Sequence, residues 1–181
     1  SVETALSIVH DAHPRMGEKV GVFGQGVIGL LVTTLLARLG IYEDTFAITF
    51  GLVTTFDTLH ERLPVPSTMG SAQALFPSEV ATAGPFDVTI EVSGAGAALQ
   101  SAIDSTRDGG RIVIGSWYGN TAVQLHLGID FHRSHKTLVT SQVSEMPAEL
   151  TPTWSKVSRF AHTWDLVRTN HPSLYIHNNN N

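Results

Sequence analysis

The chain has 181 residues, 42% apolar and 15% charged, with a net charge of −5. That length suits one domain with a buried core, and the acidic balance disfavours a general binder of nucleic-acid phosphates. With no cysteine and no apolar run near ~18 residues, it excludes disulfides, thiolate chemistry, cysteine-based metal sites and a membrane-spanning helix within these residues.

Ser1-Val2-Glu3-Thr4 is neither a signal peptide nor a start methionine. We therefore expect a cytoplasmic chain that begins inside a longer protein. Residues 3–12 read as a helix, with Ala5, Leu6, Ile8 and Val9 at helical spacing. Lys19 to Phe23 reads as a short buried strand, and Gly24-Gln25-Gly26 as a tight turn. Residues 27–39 carry Ile28, Leu31, Val32, Leu35, Leu36 and Leu39 on one helical stripe, with Gly40 as a stop. Residues 41–50 read as an insertion, either loop or extra strand. Leu52 to Phe56 reads as a strand ending at Asp57, and Pro64, Pro66 and Pro77 keep any helix over 59–78 short.

Further on, Phe86, Val88 and Ile90 alternate with Asp87, Thr89 and Glu91, which predicts a strand. A helix is expected over 95–106, a turn at Asp108-Gly109-Gly110, and strands at 111–114 and 137–142. Thr151-Pro152 reads as a helix start, followed by an apolar face of Trp154, Val157, Phe160, Trp164 and Val167. The asparagine run 178–181 reads as disordered. Strands alternating with helices predict a doubly wound α/β domain, a mostly parallel sheet flanked by helices.

The segment Gly24-Gln25-Gly26-Val27-Ile28-Gly29 fits G-x-G-x-x-G, between an expected strand and an expected helix. Gly24 would permit the tight turn, Gly26 the approach of a pyrophosphate to the backbone, and Gly29 close helix packing. The helix N-terminus would offer unpaired N–H groups to the phosphates. A strand-to-helix turn without ligand is the alternative. A ribose-binding acid belongs about 20 residues further on. Asp57 lies 28 residues past Gly29, an excess that the 41–50 insertion accounts for. An acid there favours NAD over NADP by repelling a 2′-phosphate. Glu43 and Asp44 are nearer the expected spacing, but no strand precedes them. A solvated turn or helix cap is the other reading of Asp57.

Four stretches together carry a resemblance: Glu3 to His10, Val22 to Gly29, Asp87 to Gly94, and Gly109 to Gly115. The chain resembles the medium-chain dehydrogenase/reductase superfamily, in the branch of zinc-dependent alcohol, polyol and threonine dehydrogenases. The resemblance implies a Rossmann-type cofactor domain over 19–150. It implies that 1–18 is a helix and linker from a GroES-like catalytic lobe absent here, and 151–177 a C-terminal amphipathic helix and tail. It implies hydride transfer between an alcohol or polyol substrate and NAD(P), with zinc only where that lobe is present. Glu3, seven residues before His10, matches a family glutamate at or beside the metal and becomes a metal-ligand candidate in a full-length protein. Val92-Ser93-Gly94 and Gly115-Ser116 would present backbone groups to the nicotinamide carboxamide.

Trp117-Tyr118 would wall the site or cover the sheet edge, and Ser141-Gln142 is a weaker candidate at the last strand's end. His132 and His135 lie in a basic turn without an adjacent carboxylate, a poor metal site. Gly115-Ser116-Trp117-Tyr118-Gly119 places its serine one position too early for a hydrolase nucleophile elbow. The rival to an enzyme is a truncated, non-catalytic dinucleotide-binding or interaction module. Exposed aromatics on the last helix would favour a homo-oligomer.

Overall fold

The computed structural model describes residues 1–39 and 53–169. The readings of the 41–50 insertion, Glu43, Asp44 and the 178–181 run lie outside the described residues. The sheet has six parallel strands in the order β3-β2-β1-β4-β5-β6. They are β1 Val20–Phe23, β2 Val53–Phe56, β3 Gln73–Leu75, β4 Phe86–Glu91, β5 Thr106–Ile114 and β6 Thr137–Thr140. The helices are α1 Val2–Ala12, α2 Val27–Leu39, α3 Pro64–Thr68, α4 Val80–Ala83, α5 Gly96–Ser105, α6 Asp130–Arg133 and α7 Lys156–Thr169.

The strand order reverses between β1 and β4, so a crevice opens beyond their carboxyl ends. Every residue of β1 and β2 is buried, because helices cover both sheet faces. One core layer joins Ala5, Ile8, Val9 and Ala12 of α1 to Val32 and Leu36 of α2, over Val22, Val88 and Ile90. The other joins Leu99, Ala102 and Ile103 of α5 to Phe23, Phe56, Phe86 and Ile112. Phe23 stacks on Phe56 at 4.7 Å between ring centres, and Phe56 meets Phe86 edge-on at 5.9 Å. The helix expected at the N-terminus therefore packs into the core of this domain.

The alternation in β4 carries a different meaning from the usual one. Thr89 and Glu91 are as buried as Val88 and Ile90, because β4 is central and both its faces are covered. Thr89 Oγ1 lies 2.8 Å from Thr106 Oγ1 and donates to Ala102 O, which makes a buried hydroxyl tolerable.

Two expectations need correction. The turn expected at Asp108-Gly109-Gly110 lies inside β5, which pairs with β4 through an irregularity between Phe86↔Thr106 and Val88↔Arg111. Gly109 takes φ +67° there, a conformation open to glycine. The helix expected at Thr151-Pro152 begins five residues after Thr151, at Lys156. Ser155 and Ser158 cap it reciprocally: Ser158 N–H donates to Ser155 Oγ at 3.1 Å, and Ser155 N–H to Ser158 Oγ at 2.8 Å. Residues 150–154 form turns instead. The apolar face of α7 points away from the domain: Val157 is 79% exposed, Phe160 51% and Trp164 50%.

The buried side of α7 is polar. Arg159 is fully buried and spends all five guanidinium N–H donors. They go to Glu3 Oε1 (3.2 and 3.3 Å), Ser7 Oγ, and the carbonyls of Glu145 and Val143. This network ties α7 and the preceding loop to α1.

Candidate functional site

A cavity of about 440 Å³ opens at the carboxyl ends of β1, β2 and β4. Phe23 and Phe56 form part of its lining, as do Gly24, Gly26, Asp57, Val92 and Ser93. The glycine turn is built for close approach. Gly24 has φ +99°, and a Cβ there would lie 2.7 Å from Ser93 Cα and N. A Cβ on Gly29 would lie 1.9 Å from the Gly24 carbonyl oxygen. A Cβ on Gly26 would meet no atom within 4 Å, so that glycine leaves open space beside the cavity. The first-turn N–H groups of α2 have no partner inside the helix, and no acidic residue occupies that turn. An anion fits there on geometry and charge.

Asp57 follows β2 and is 6% exposed. Its Oδ2 accepts from Gln25 N–H at 2.7 Å and its Oδ1 from Leu59 N–H at 2.9 Å. Arg62 Nη1 lies 3.5 Å from Oδ2 and half exposed at the cavity rim. The sequence reading missed Arg62. Its signal was a cation five residues past the acid, within a stretch judged only by its prolines. Gln25 is buried, with its amide on Gly24 O and its Oε1 accepting from Thr33. It braces the turn from inside.

On the β4 side, Glu91 is fully buried. Its Oε1 accepts from Ser93 N–H (2.6 Å), Ser93 Oγ (2.6 Å) and Gly94 N–H (2.9 Å), and its Oε2 from Tyr118 Oη (2.5 Å). Burial, then the facing carboxylate, push the Tyr118 phenol above its ordinary pKa. The N–H groups of Ser93 and Gly94, expected to face the cofactor, are therefore committed inward. Gly94 N–H also reaches Ser116 Oγ at 2.9 Å. Gly115 sits against α1 and β4, where a Cβ would lie 2.6 Å from Ile8 Cδ1. Gln25, Val27 and Gly94 adjoin the lining in sequence, and neither they nor Ile28, Gly29, Gly115 and Ser116 are part of it. Trp117 is 92% exposed, so it neither walls the cavity nor covers the sheet edge.

Glu3 lies far from this cavity in role: its carboxylate receives the buried Arg159. Among the described residues no three or more His, Asp or Glu side chains converge to hold a metal ion. No described helix is long and apolar enough to cross a membrane.

The parallel order 3-2-1-4-5-6, the glycine turn and the acid after β2 define a Rossmann-type α/β domain. The chain is 29% identical over 172 residues to D-guloside 3-dehydrogenase of Escherichia coli (strain K12), covering 90% of this chain and 47% of that protein. It thus spans about half the length of the curated relatives it matches. In structure it resembles a short chain alcohol dehydrogenase from E. coli CFT073 complexed with NADH (TM-score 0.70, 16% identity, 93% of this chain and 45% of that one). It also resembles a candidate zinc-binding dehydrogenase from Sinorhizobium meliloti 1021 bound to NADP (TM-score 0.71, 22% identity, 93% and 46%). No family model matches. The expected fold class is borne out, and the proteins that the chain resembles carry dehydrogenase names.

Proposed function

We propose that this chain is the nicotinamide-dinucleotide-binding part of a zinc-type alcohol or polyol oxidoreductase, with NAD preferred over NADP. The observation that carries this reading is the cavity that joins the open face of Gly26 to the Asp57 carboxylate. The turn Gly24-Gln25-Gly26 and the first residues of α2, Val27, Ile28 and Gly29, form the phosphate cradle. Asp57 accepts from the adenosine ribose hydroxyls, displacing or sharing with Arg62. A 2′-phosphate there meets the buried Asp57 charge as well as the half-exposed Arg62 cation, and the fixed, buried acid favours NAD. Val92 and Ser93, backed by Gly94, Gly115 and Ser116, bound the nicotinamide end.

When bound, the nicotinamide supplies the hydride acceptor for an alcohol. Glu3 belongs to a metal site only where further ligands complete three protein donors. With Arg159 on one oxygen, its other oxygen is what it could offer. A small alcohol or polyol substrate is part of the same proposal, supported by the relatives' names, and so is a cytoplasmic location.

A thermal-shift series tests the reading. A ligand held only by the folded state raises stability by about 2.7 kcal/mol at a hundredfold excess over Kd. The expected result is a Tm that climbs with NADH concentration. A Tm indifferent to millimolar NADH and NADPH would contradict it. NADH binding without turnover in the full-length protein would favour the non-catalytic module.

A further inference from the structure

We propose that Glu91 is a positioning residue for the nicotinamide half of the dinucleotide, an inference that rests on the cofactor-binding reading above. Glu91 is a fully buried carboxylate, and among the described residues no ion pair reaches it. Burying an acid without a counter-cation is costly unless hydrogen bonds satisfy it. Four donors do so here, and they come from two different strand-end loops.

Ser93 and Gly94 belong to the loop after β4, and Tyr118 to the loop after β5. Ser116 Oγ adds a second tie between the same two loops through Gly94 N–H. Ser93 in turn lies against Gly24, so closely that a Cβ on that glycine would overlap it. One carboxylate therefore sets the spacing of the β4 loop against both the glycine turn and the β5 loop. Of these residues, Gly24 and Ser93 line the cavity. Glu91 itself is set behind that wall.

The position of this wall fixes which half of the ligand it serves. The adenosine ribose belongs to the acid after β2, on one side of β1. The remainder of a dinucleotide crossing the reversal point falls over β4, on the other side. A change at Glu91 should therefore register on the nicotinamide half and leave the adenosine half alone. Glutamine at this position can keep the clamp, with its carbonyl toward Ser93 and Gly94 and its amide donating to the Tyr118 oxygen. Alanine cannot.

The test is isothermal calorimetry on this chain with two probes, ADP-ribose and NADH, alongside circular dichroism of each variant. The wild type is expected to bind NADH more tightly than ADP-ribose. Glu91→Ala is expected to lower NADH affinity at least tenfold while ADP-ribose affinity changes less than threefold. Glu91→Gln should restore most of the difference. If Glu91→Ala does not fold, Tyr118→Phe removes one donor and should weaken NADH several-fold with ADP-ribose unchanged.

Equal losses on both probes, or on neither, would overturn the inference and leave the cofactor reading standing. So would equal wild-type affinity for the two probes. A wild type that binds neither would overturn both.

Discussion

At the scale of single residues, the glycine turn separates folding from binding. Gly26 faces open space and Gly29 faces the Gly24 carbonyl at a distance no Cβ tolerates. Gly26→Val should therefore leave the thermal midpoint nearly unchanged and abolish NADH binding, because its side chain fills the space a phosphate would take. Gly29→Ala should instead cost about 1–3 kcal/mol of stability, the usual penalty of overpacking. Parallel melting curves and NADH titrations check both. Asp57→Asn should weaken NADH by roughly tenfold to a hundredfold, since a hydrogen bond to a charged group is worth about 1.5–3 kcal/mol. The same variant should narrow the gap between NADH and NADPH. The positions of Gly24, Gly26, Gly29 and Asp57 were legible in the sequence, because each role follows from a missing Cβ or from a charge at a strand end. The inward commitment of the Ser93 and Gly94 amides was not. It depends on Glu91, which the alternating pattern of β4 assigns to a polar face.

At the scale of elements, α1 and α7 meet through polar groups. Removing one partner from a buried ion pair costs about 3–5 kcal/mol. Arg159→Met should therefore destabilise the chain by about 3 kcal/mol, read from urea unfolding, the partly exposed Glu3 placing the loss at the lower end. His10 sits beside this network, 4.8 Å from Trp154 between ring centres. Burial, then Arg159 and His162, hold its pKa below 6.5. The unfolded chain then binds more protons than the folded one below pH 6.5, so stability falls as pH drops from that value toward the folded pKa. His10→Phe should flatten this part of the Tm–pH profile, and an unchanged slope would contradict the assignment.

The start of α7 was misread, while the exposure of its aromatics was expected. Threonine followed by proline is a good local cap, but the Ser155–Ser158 pair is reciprocal. The helix is then oriented by Arg159, whose five donors outweigh the stripe of Val157, Phe160 and Trp164. β3 and the bulge in β5 were also hidden, since a three-residue edge strand and a glycine turn inside a strand leave little periodicity.

At the scale of the whole molecule, the alternation of strand and helix was enough to define the layers, and the site falls where the strand order reverses. The strand order itself is a property of non-local pairing that one sequence does not display. The exposed aromatics of α7 make a patch from which we expect self-association. Sedimentation should show mass rising with concentration, and Phe160→Ser with Trp164→Ser should suppress it.

The most direct test of the central claim is calorimetric titration of the chain with NADH and, separately, with NADPH. The account predicts saturable binding of NADH, weaker binding of NADPH, and loss of that preference in Asp57→Asn. Failure of the folded chain to bind either nucleotide would contradict it.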